Sequence, residues 1–319
     1  MAGILVVAES AGGAATPHSL EMLGAARALS AQGGGGVCAF IAGGEAEAKA
    51  LIAHGADAVF TSAAPAASLA EVLAPAVEEA VGASGADIVL VAQSSLGRDL
   101  APLLAFRAGT GVAMDCTELK IDGGRLRATR SCYGGNARAE HTWKSALQIA
   151  TVKGKAFDAL EADGGRSGSV TAVAAQGEAR IKVTGIEKAS SEGIKIEDAA
   201  IVVSGGRGLG DGSAFKQLED LAGTLKVAAV GASRAACDLG WYPPSQQVGL
   251  TGKTVSPNLY IAVAISGASQ HMAGMGGSKN IVAINKDGDA NMVKVSRFAV
   301  IDDYKKVLPA LIAEIKKLD

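Results

Sequence analysis

The sequence predicts an α/β protein of two units, each built on a mostly parallel sheet. Short apolar runs alternate with segments of helical period along most of the chain. In the second half, each apolar run ends in small or polar residues. The 42 glycines gather at such corners and carry no collagen-like period,. A length of 319 residues exceeds a usual single domain, so two are expected,. Hydrophobic residues at 49% and charged residues at 19% suffice for sizeable buried cores,.

In the first half, apolar runs at 4–8, 37–42, 57–61 and 87–92 read as strands. Between them, Ser19 to Ser30 and Ser68 to Val81 have helical period, the second with Leu69, Val72, Leu73, Ala76 and Val77 on one face,. Short apolar strands separated by helices imply a parallel sheet covered on both sides. From Val112 to Lys153 the pattern turns strand-rich, through Leu126–Arg130 and Leu147–Val152, and is expected to extend the same sheet. Residues 161–180 are small and polar, a linker composition, followed by a β-like stretch at 181–184,. The domain boundary is placed near residue 190, giving units 1–190 and 191–319.

The second half repeats one device. Ile201-Val202-Val203 runs into Ser204-Gly205-Gly206-Arg207-Gly208 and a helix from Phe215 to Leu225. Val227 to Val230 runs into Gly231-Ala232-Ser233-Arg234. Leu259 to Ile265 runs into Ser266-Gly267-Ala268 and a helix carrying Gln270 and His271. Ile281 to Ile284 runs into Asn285-Lys286-Asp287. Parallel strands bring these C-terminal ends to one edge, where a doubly wound sheet binds its ligand. Turn amides there suit a pyrophosphate, so a dinucleotide site is expected in this half.

That reading leaves the nucleotide open, and also whether chemistry occurs. Gly206-Arg207-Gly208-Leu209-Gly210-Asp211 begins a dinucleotide fingerprint but lacks its last glycine,. His271 has no carboxylate at fixed spacing to orient it, and by itself reads as a structural helix-face histidine. Ser233 lacks the GxSxG elbow of a serine hydrolase, and Trp241 and Tyr242 read as local packing. No catalytic residue is expected. The formal charge of −2 argues against nucleic acid or an anionic membrane as partner,. Cys38, Cys116, Cys132 and Cys237 have no CxxC spacing and read as buried reduced thiols, and the four histidines are dispersed, so no metal site is expected,. The apolar start at Ile4 is too short for a signal-peptide core and no run spans a membrane, which gives a cytoplasmic expectation without membrane insertion.

Motif by motif, the run from Ser204 to Asp303 resembles the alpha subunit of electron-transfer flavoproteins. The pieces are 204–208, 231–241 (Gly-Ala-Ser-Arg-Ala-Ala-Cys-Asp-Leu-Gly-Trp), 247–255 (Gln-Val-Gly-Leu-Thr-Gly-Lys-Thr-Val), 259–263, 265–275 (Ile-Ser-Gly-Ala-Ser-Gln-His-Met-Ala-Gly-Met) and 281–287. The N-terminal half agrees more loosely, through 96–102, 115–117 and Tyr133-Gly134-Gly135-Asn136.

The resemblance implies two Rossmann-like domains, the C-terminal one binding FAD. It puts Thr251 at the flavin N5, Arg234 beside the isoalloxazine, and His271 at the C2 carbonyl, where a positive charge would stabilise anionic reduced flavin. Arg207, Ser233, Gln247, Val248, Gly249, Leu250, Ser266, Gly267, Ala268, Ser269 and Gln270 would line the rest, with Asn285, Asp303 and Tyr304 toward the adenosine end. The protein would hold the flavin and set its potential, the redox chemistry being the cofactor's.

The implied working unit is a heterodimer with a beta subunit holding AMP, or a second FAD in relatives that bifurcate electrons from NADH. Dehydrogenases would supply electrons, and a quinone-linked or other oxidoreductase would receive them. An NAD-binding Rossmann dehydrogenase is a rival reading, opposed by the missing fingerprint and the lack of an acid–base pair. Three departures from the family pattern stand out. Leu250 replaces a usual glutamine, Ala264 replaces a usual glycine, and Asp289–Val293 replaces a usual Ala-Pro-Ile-Phe.

Overall fold

The computed structural model describes residues 3–64, 69–133, 137–174, 177–178, 180–181, 183–184 and 194–317. The chain divides into two compact units, one reaching residue 186 and the other chiefly 187–319. The boundary expected near 190 lies outside the described residues, as does Gly134-Gly135-Asn136.

The first unit begins with β1 (Gly3–Ala8), a small hairpin of β2 (Ser10–Ala11) and β3 (Ala14–Ala15), and α1 (Pro17–Leu29). Then come β4 (Gly36–Ala42), α2 (Glu45–Ala53), β5 (Ala58–Ser62), α3 (Ala70–Ser84), β6 (Ile88–Ala92) and α4 (Ser95–Arg107). Strands β7 (Val112–Asp122), β8 (Arg125–Cys132), β9 (Ala137–His141), β10 (Gln148–Val152) and β11 (Ser169–Val173) complete it. The sheet order is β11-β5-β4-β1-β6-β10-β7-β8-β9, with β7, β8 and β9 antiparallel and the other pairings parallel. The strand-rich stretch thus extends the first sheet, with β10 inserted between β6 and β7.

Alternation along β1 explains the layering. Ile4, Val6 and Ala8 enter one core with Met22 and Leu23 of α1 and Leu51 of α2. Leu5 and Val7 enter the other with Leu73 and Val77 of α3 and Leu100 and Leu104 of α4. A strand buried on both faces must be apolar throughout, which is why these runs are legible as sequence. Thr16 caps α1 by accepting from the Ser19 amide, with Pro17 in the first turn,.

The linker reading of 161–180 is corrected at Ser169–Val173, which pairs in parallel with β5 as an edge strand. Four of its five residues are exposed, so no apolar run marks it,. Arg166 helps anchor this stretch by donating to Asp57 Oδ1 at 2.7 Å. The β-like stretch at 181–184 is not a strand at its described residues 181, 183 and 184. The cysteines are unbridged, Cys116 and Cys237 buried and Cys38 and Cys132 only partly so.

The second unit runs β12 (Ile201–Gly205), α5 (Phe215–Ala222), β13 (Ala228–Ser233), α6 (Arg234–Asp238) and β14 (Gln247–Val248). It continues with β15 (Leu259–Val263), α7 (Ser269–Met275), β16 (Ile281–Asn285), α8 (Asn291–Val295), β17 (Phe298–Ile301) and α9 (Tyr304–Ile315). All pairings are parallel, in the order β14-β13-β12-β15-β16-β17. The chain starts at the middle, steps outward to β14, then crosses back to build the other side. This is the doubly wound dinucleotide-binding order, whose switch point falls between β12 and β15. Phe215, Leu218, Val203, Ile261 and Leu308 fill one face, and Val202, Tyr260, Met275 and Met292 the other. Tyr242 stacks on Phe215 with ring centroids 4.5 Å apart, the local packing expected of that loop.

Among the described residues, no helix is long and apolar enough to cross a membrane. Nor do three or more His, Cys, Asp or Glu there group to hold a metal ion.

Candidate functional site

At the C-terminal ends of the second sheet lies a cleft of about 640 Å³. Five of the six strands contribute residues at or after their ends: Gly206, Arg207 and Gly208 after β12, Ser233 and Arg234 at β13, and Gln247 through Thr251 at β14. Ala264, Ile265, Ser266 and Ala268 follow β15, Gln270 and His271 come from α7, and Asn285 and Asp287 from the end of β16.

The two turns at the switch point touch. A Cβ on Gly206 would sit 2.2 Å from the Ala264 carbonyl oxygen, so only a bare backbone fits there,. The Gly206 amide donates to the Val263 carbonyl at 3.0 Å, locking the turns together. Ala264 itself has φ +54, a left-handed conformation that costs an L-residue roughly 1–2 kcal/mol,. This is the position where the resembling family uses glycine. Ala264→Gly is therefore expected to raise stability by roughly 0.5–1 kcal/mol, because relief of strain exceeds the added freedom of the unfolded chain. A denaturant midpoint that falls in the variant would refute it.

The β14 loop is held on α7 by the Leu250 amide, which donates to the Gln270 carbonyl at 2.7 Å. Gln247 Nε2 donates to Thr251 Oγ1 at 3.1 Å, leaving the threonine proton for another acceptor,. The Leu250 side chain, by contrast, is 69% exposed. Arg234 pairs with Asp238 one helical turn on, at 3.4 Å, with both side chains exposed. Ser233 caps α6 through the Ala236 amide. Asn285 donates to the Ile265 carbonyl at 3.0 Å and so pins the turn after β15.

Two polar side chains of the wall are buried, Gln247 and His271, the latter 6% exposed. Its Nε2 lies 2.9 Å from the Tyr260 hydroxyl. Its Nδ1 is buried with no hydrogen-bond partner. Burial lowers its pKa to about 4, against the opposing pull of the Val248 carbonyl, which falls outside hydrogen-bonding geometry,. The imidazole is therefore neutral near pH 7,.

The cleft brings together Arg207, Ser233, Arg234, Gln247, Val248, Gly249, Leu250, Thr251, Ser266, Ala268, Gln270, His271 and Asn285. Gly267, Ser269, Asp303 and Tyr304 are not among its lining residues. Gly267 packs behind the turn against Met292. Ser269 Oγ donates to Gln270 Oε1 at 3.3 Å on an exposed surface. Asp303 caps α9 and pairs with Lys286 at 3.0 Å, the Lys305 amide first and then Lys286 holding its carboxyl below the usual range. Tyr304 is buried and donates to the Leu209 carbonyl at 2.7 Å. The cleft also exposes two carboxylates that sequence reasoning did not select, Asp238 and Asp287. Four-residue spacing from Arg234 was the available signal for Asp238.

Turn amides at a switch point, a bare-backbone approach at Gly206 and an orphan buried imidazole nitrogen fit a dinucleotide whose ring system brings a hydrogen-bonding polar edge. The family comparisons agree in class. Residues 4–177 match the electron transfer flavoprotein domain and residues 195–276 the electron transfer flavoprotein FAD-binding domain. The chain is 40% identical over 324 residues to an electron transfer flavoprotein subunit alpha of Thermoanaerobacterium thermosaccharolyticum, covering 99% of this chain and 98% of that one. It is 40% identical over 331 residues to the Megasphaera elsdenii subunit alpha, covering 99% and 96%. With the Bacillus subtilis subunit alpha it shares 35% over 325 residues, covering 99% and 98%.

Proposed function

This chain belongs to the electron transfer flavoprotein alpha-subunit family, and from that membership we propose that the cleft of its second unit holds one FAD for electron transfer. The observation that carries the reading is His271, whose buried Nδ1 in the wall of a switch-point cleft has no hydrogen-bond partner among the described residues. Arg234, Thr251 and His271 would surround the isoalloxazine. Arg207, Ser233, Gln247, Val248, Gly249, Ser266, Ala268 and Gln270 would line the remainder, and Asn285 the adenosine end. Gly267, Ser269, Asp303 and Tyr304 would act by shaping the turns and helix around it.

When bound, the flavin supplies the electron-accepting chemistry. The protein's part is positional. Thr251, already accepting from Gln247, has its hydroxyl proton to give to a ring nitrogen. The buried imidazole offers a hydrogen bond in a site of low dielectric, where it counts for more than in water.

In this reading the chain works as a heterodimer with a beta subunit that carries AMP, taking electrons from dehydrogenases and passing them to a quinone-linked or other oxidoreductase. Coexpression with the beta subunit, followed by an absorption spectrum and a cofactor count, tests it. The expected result is a yellow heterodimer with one FAD and one AMP. A second FAD, reducible by NADH, would instead assign the pair to the electron-bifurcating type. A colourless complex that binds only NAD would overturn the proposal.

Leu250 offers a sharper check. Its side chain cannot donate to the ring, whereas glutamine can, so reduced flavin would be less well stabilised here. Leu250→Gln is expected to raise the flavin's reduction potential in potentiometric titration. An unchanged or lowered potential would remove Leu250 from the tuning residues.

A further inference from the structure

Tyr260 and His271 meet beneath the cleft, and no motif in the sequence links them. Tyr260 lies on β15, fully buried, and its hydroxyl is 2.9 Å from His271 Nε2. The rings meet edge-on, with centroids 6.1 Å apart and planes at 63°. Ser204 is paired with Ala262 and Val202 with Tyr260, so the serine stands on the same sheet face as the tyrosine, one pleat along,. Its hydroxyl is buried too.

We propose that Tyr260 is a positioning residue that holds neutral His271 as its Nδ1–H tautomer, so that the wall of the cleft carries an N–H donor and not a lone pair. A neutral imidazole has one donor and one acceptor nitrogen, and the bond made by one decides the role of the other. Two contacts point the same way. The tyrosine hydroxyl keeps its proton, because burial pushes its pKa upward, and at 2.9 Å it has that proton to donate to Nε2. With Nε2 facing the tyrosine hydroxyl, the nearby Val248 backbone, whose influence raises the pKa of the ring, favours a protonated imidazole nitrogen on its side. The opposite tautomer would put the ring proton on Nε2 against the tyrosine oxygen and leave the tyrosine proton seeking another acceptor. Ser204 is then the adjacent hydroxyl that can donate to the tyrosine oxygen.

The consequence is a donor that needs no positive charge. With Nδ1 unpartnered among the described residues, the group it suits is an acceptor: a ring carbonyl or an oxygen that gains negative charge,. That consequence rests on the FAD reading above; the tautomer does not.

The test uses the full chain labelled with ¹⁵N-histidine, without added cofactor, in a two-bond ¹H–¹⁵N correlation spectrum at pH 7. His271 is assigned by its absence in His271→Gln. The expected wild-type signature is the Nδ1–H tautomer, and Tyr260→Phe is expected to shift the tautomer ratio toward Nε2–H roughly threefold to tenfold, the effect of one lost hydrogen bond. A wild-type His271 in the Nε2–H form overturns the proposal, as does a Tyr260→Phe spectrum with an unaltered ratio. Should Tyr260→Phe not fold, the wild-type spectrum decides alone. A chain with the Nδ1–H signature that takes up no FAD with its beta subunit sinks the cofactor reading and leaves the tautomer standing.

Discussion

Replacing Gly267 with alanine is expected to destabilise the second unit by about 3 kcal/mol or more, and to abolish retention of its cofactor. Two costs coincide at this residue. Its φ of +80 lies in the left-handed region, where an alanine is strained,. Its Cβ would also stand 2.4 Å from the Met292 amide nitrogen and 2.9 Å from the Met292 Cα.

Those are backbone atoms, so no rotamer change relieves the clash. The Met292 amide donates to the Ser266 carbonyl at 3.1 Å, and its side chain is fully buried under the sheet. Pushing Met292 aside therefore breaks the bond that shapes the turn after β15, and the cleft wall moves with it. Chemical denaturation measures the first effect and cofactor content the second. Gly240 serves as the control: its φ is +72 with nothing within 4 Å of a Cβ, so Gly240→Ala is expected to show strain alone, about 1 kcal/mol,. Equal losses at the two positions would mean that the Met292 contact is unimportant.

Acidification supplies the second large effect. The His271 pKa is lowered from 6.5 to about 4 in the folded chain, chiefly by burial. Between those values the unfolded chain binds a proton that the folded one refuses, so stability falls as the pH falls. The contribution is complete above about pH 6.5 and is lost on the way down to pH 4. For the cofactor-free chain it amounts to about 3 kcal/mol.

The Asp303 carboxyl of the same unit is held below its usual range by the Lys305 amide and Lys286, and so stays ionised through that window. The quantity to measure is thus the difference between wild type and His271→Gln in denaturant titrations at pH 7, 5.5 and 4. Trp241 fluorescence in a Trp143→Phe background follows the second unit. The variant is expected to lose less stability than wild type as the pH drops. A difference that stays constant with pH would mean that His271 titrates normally, and is not sealed off from water.

Legibility in the sequence followed burial. Strands β1, β4, β5 and β6 were readable because both faces are covered, which demands unbroken apolar runs such as Ile4 to Ala8,. The edge strand Ser169–Val173 was not readable, since an exposed edge places no such demand and small polar residues serve,. Phe298–Ile301 is also an exposed edge, and it follows a stretch that departs from the family's motif. In the site, Arg234, Thr251 and His271 were marked by the family resemblance, and the cleft does gather them. Asp303 and Tyr304 were marked by the same resemblance, but their side chains are committed to Lys286, to the cap of α9 and to the Leu209 carbonyl.

The sequence by itself determined that this is a two-unit α/β protein whose second unit opens a cleft at its strand ends. Periodicity and turn chemistry are local, and a parallel sheet collects all its strand ends at one edge whatever the details of packing. Tertiary structure alone decided that Tyr260 and His271 meet, that Nδ1 is left without a partner, and that Ala264 is bent left-handed against the Gly206 turn. Those facts depend on strand register and on how α7 folds back over the sheet. Contacts between separate elements leave no period along the chain from which to read them.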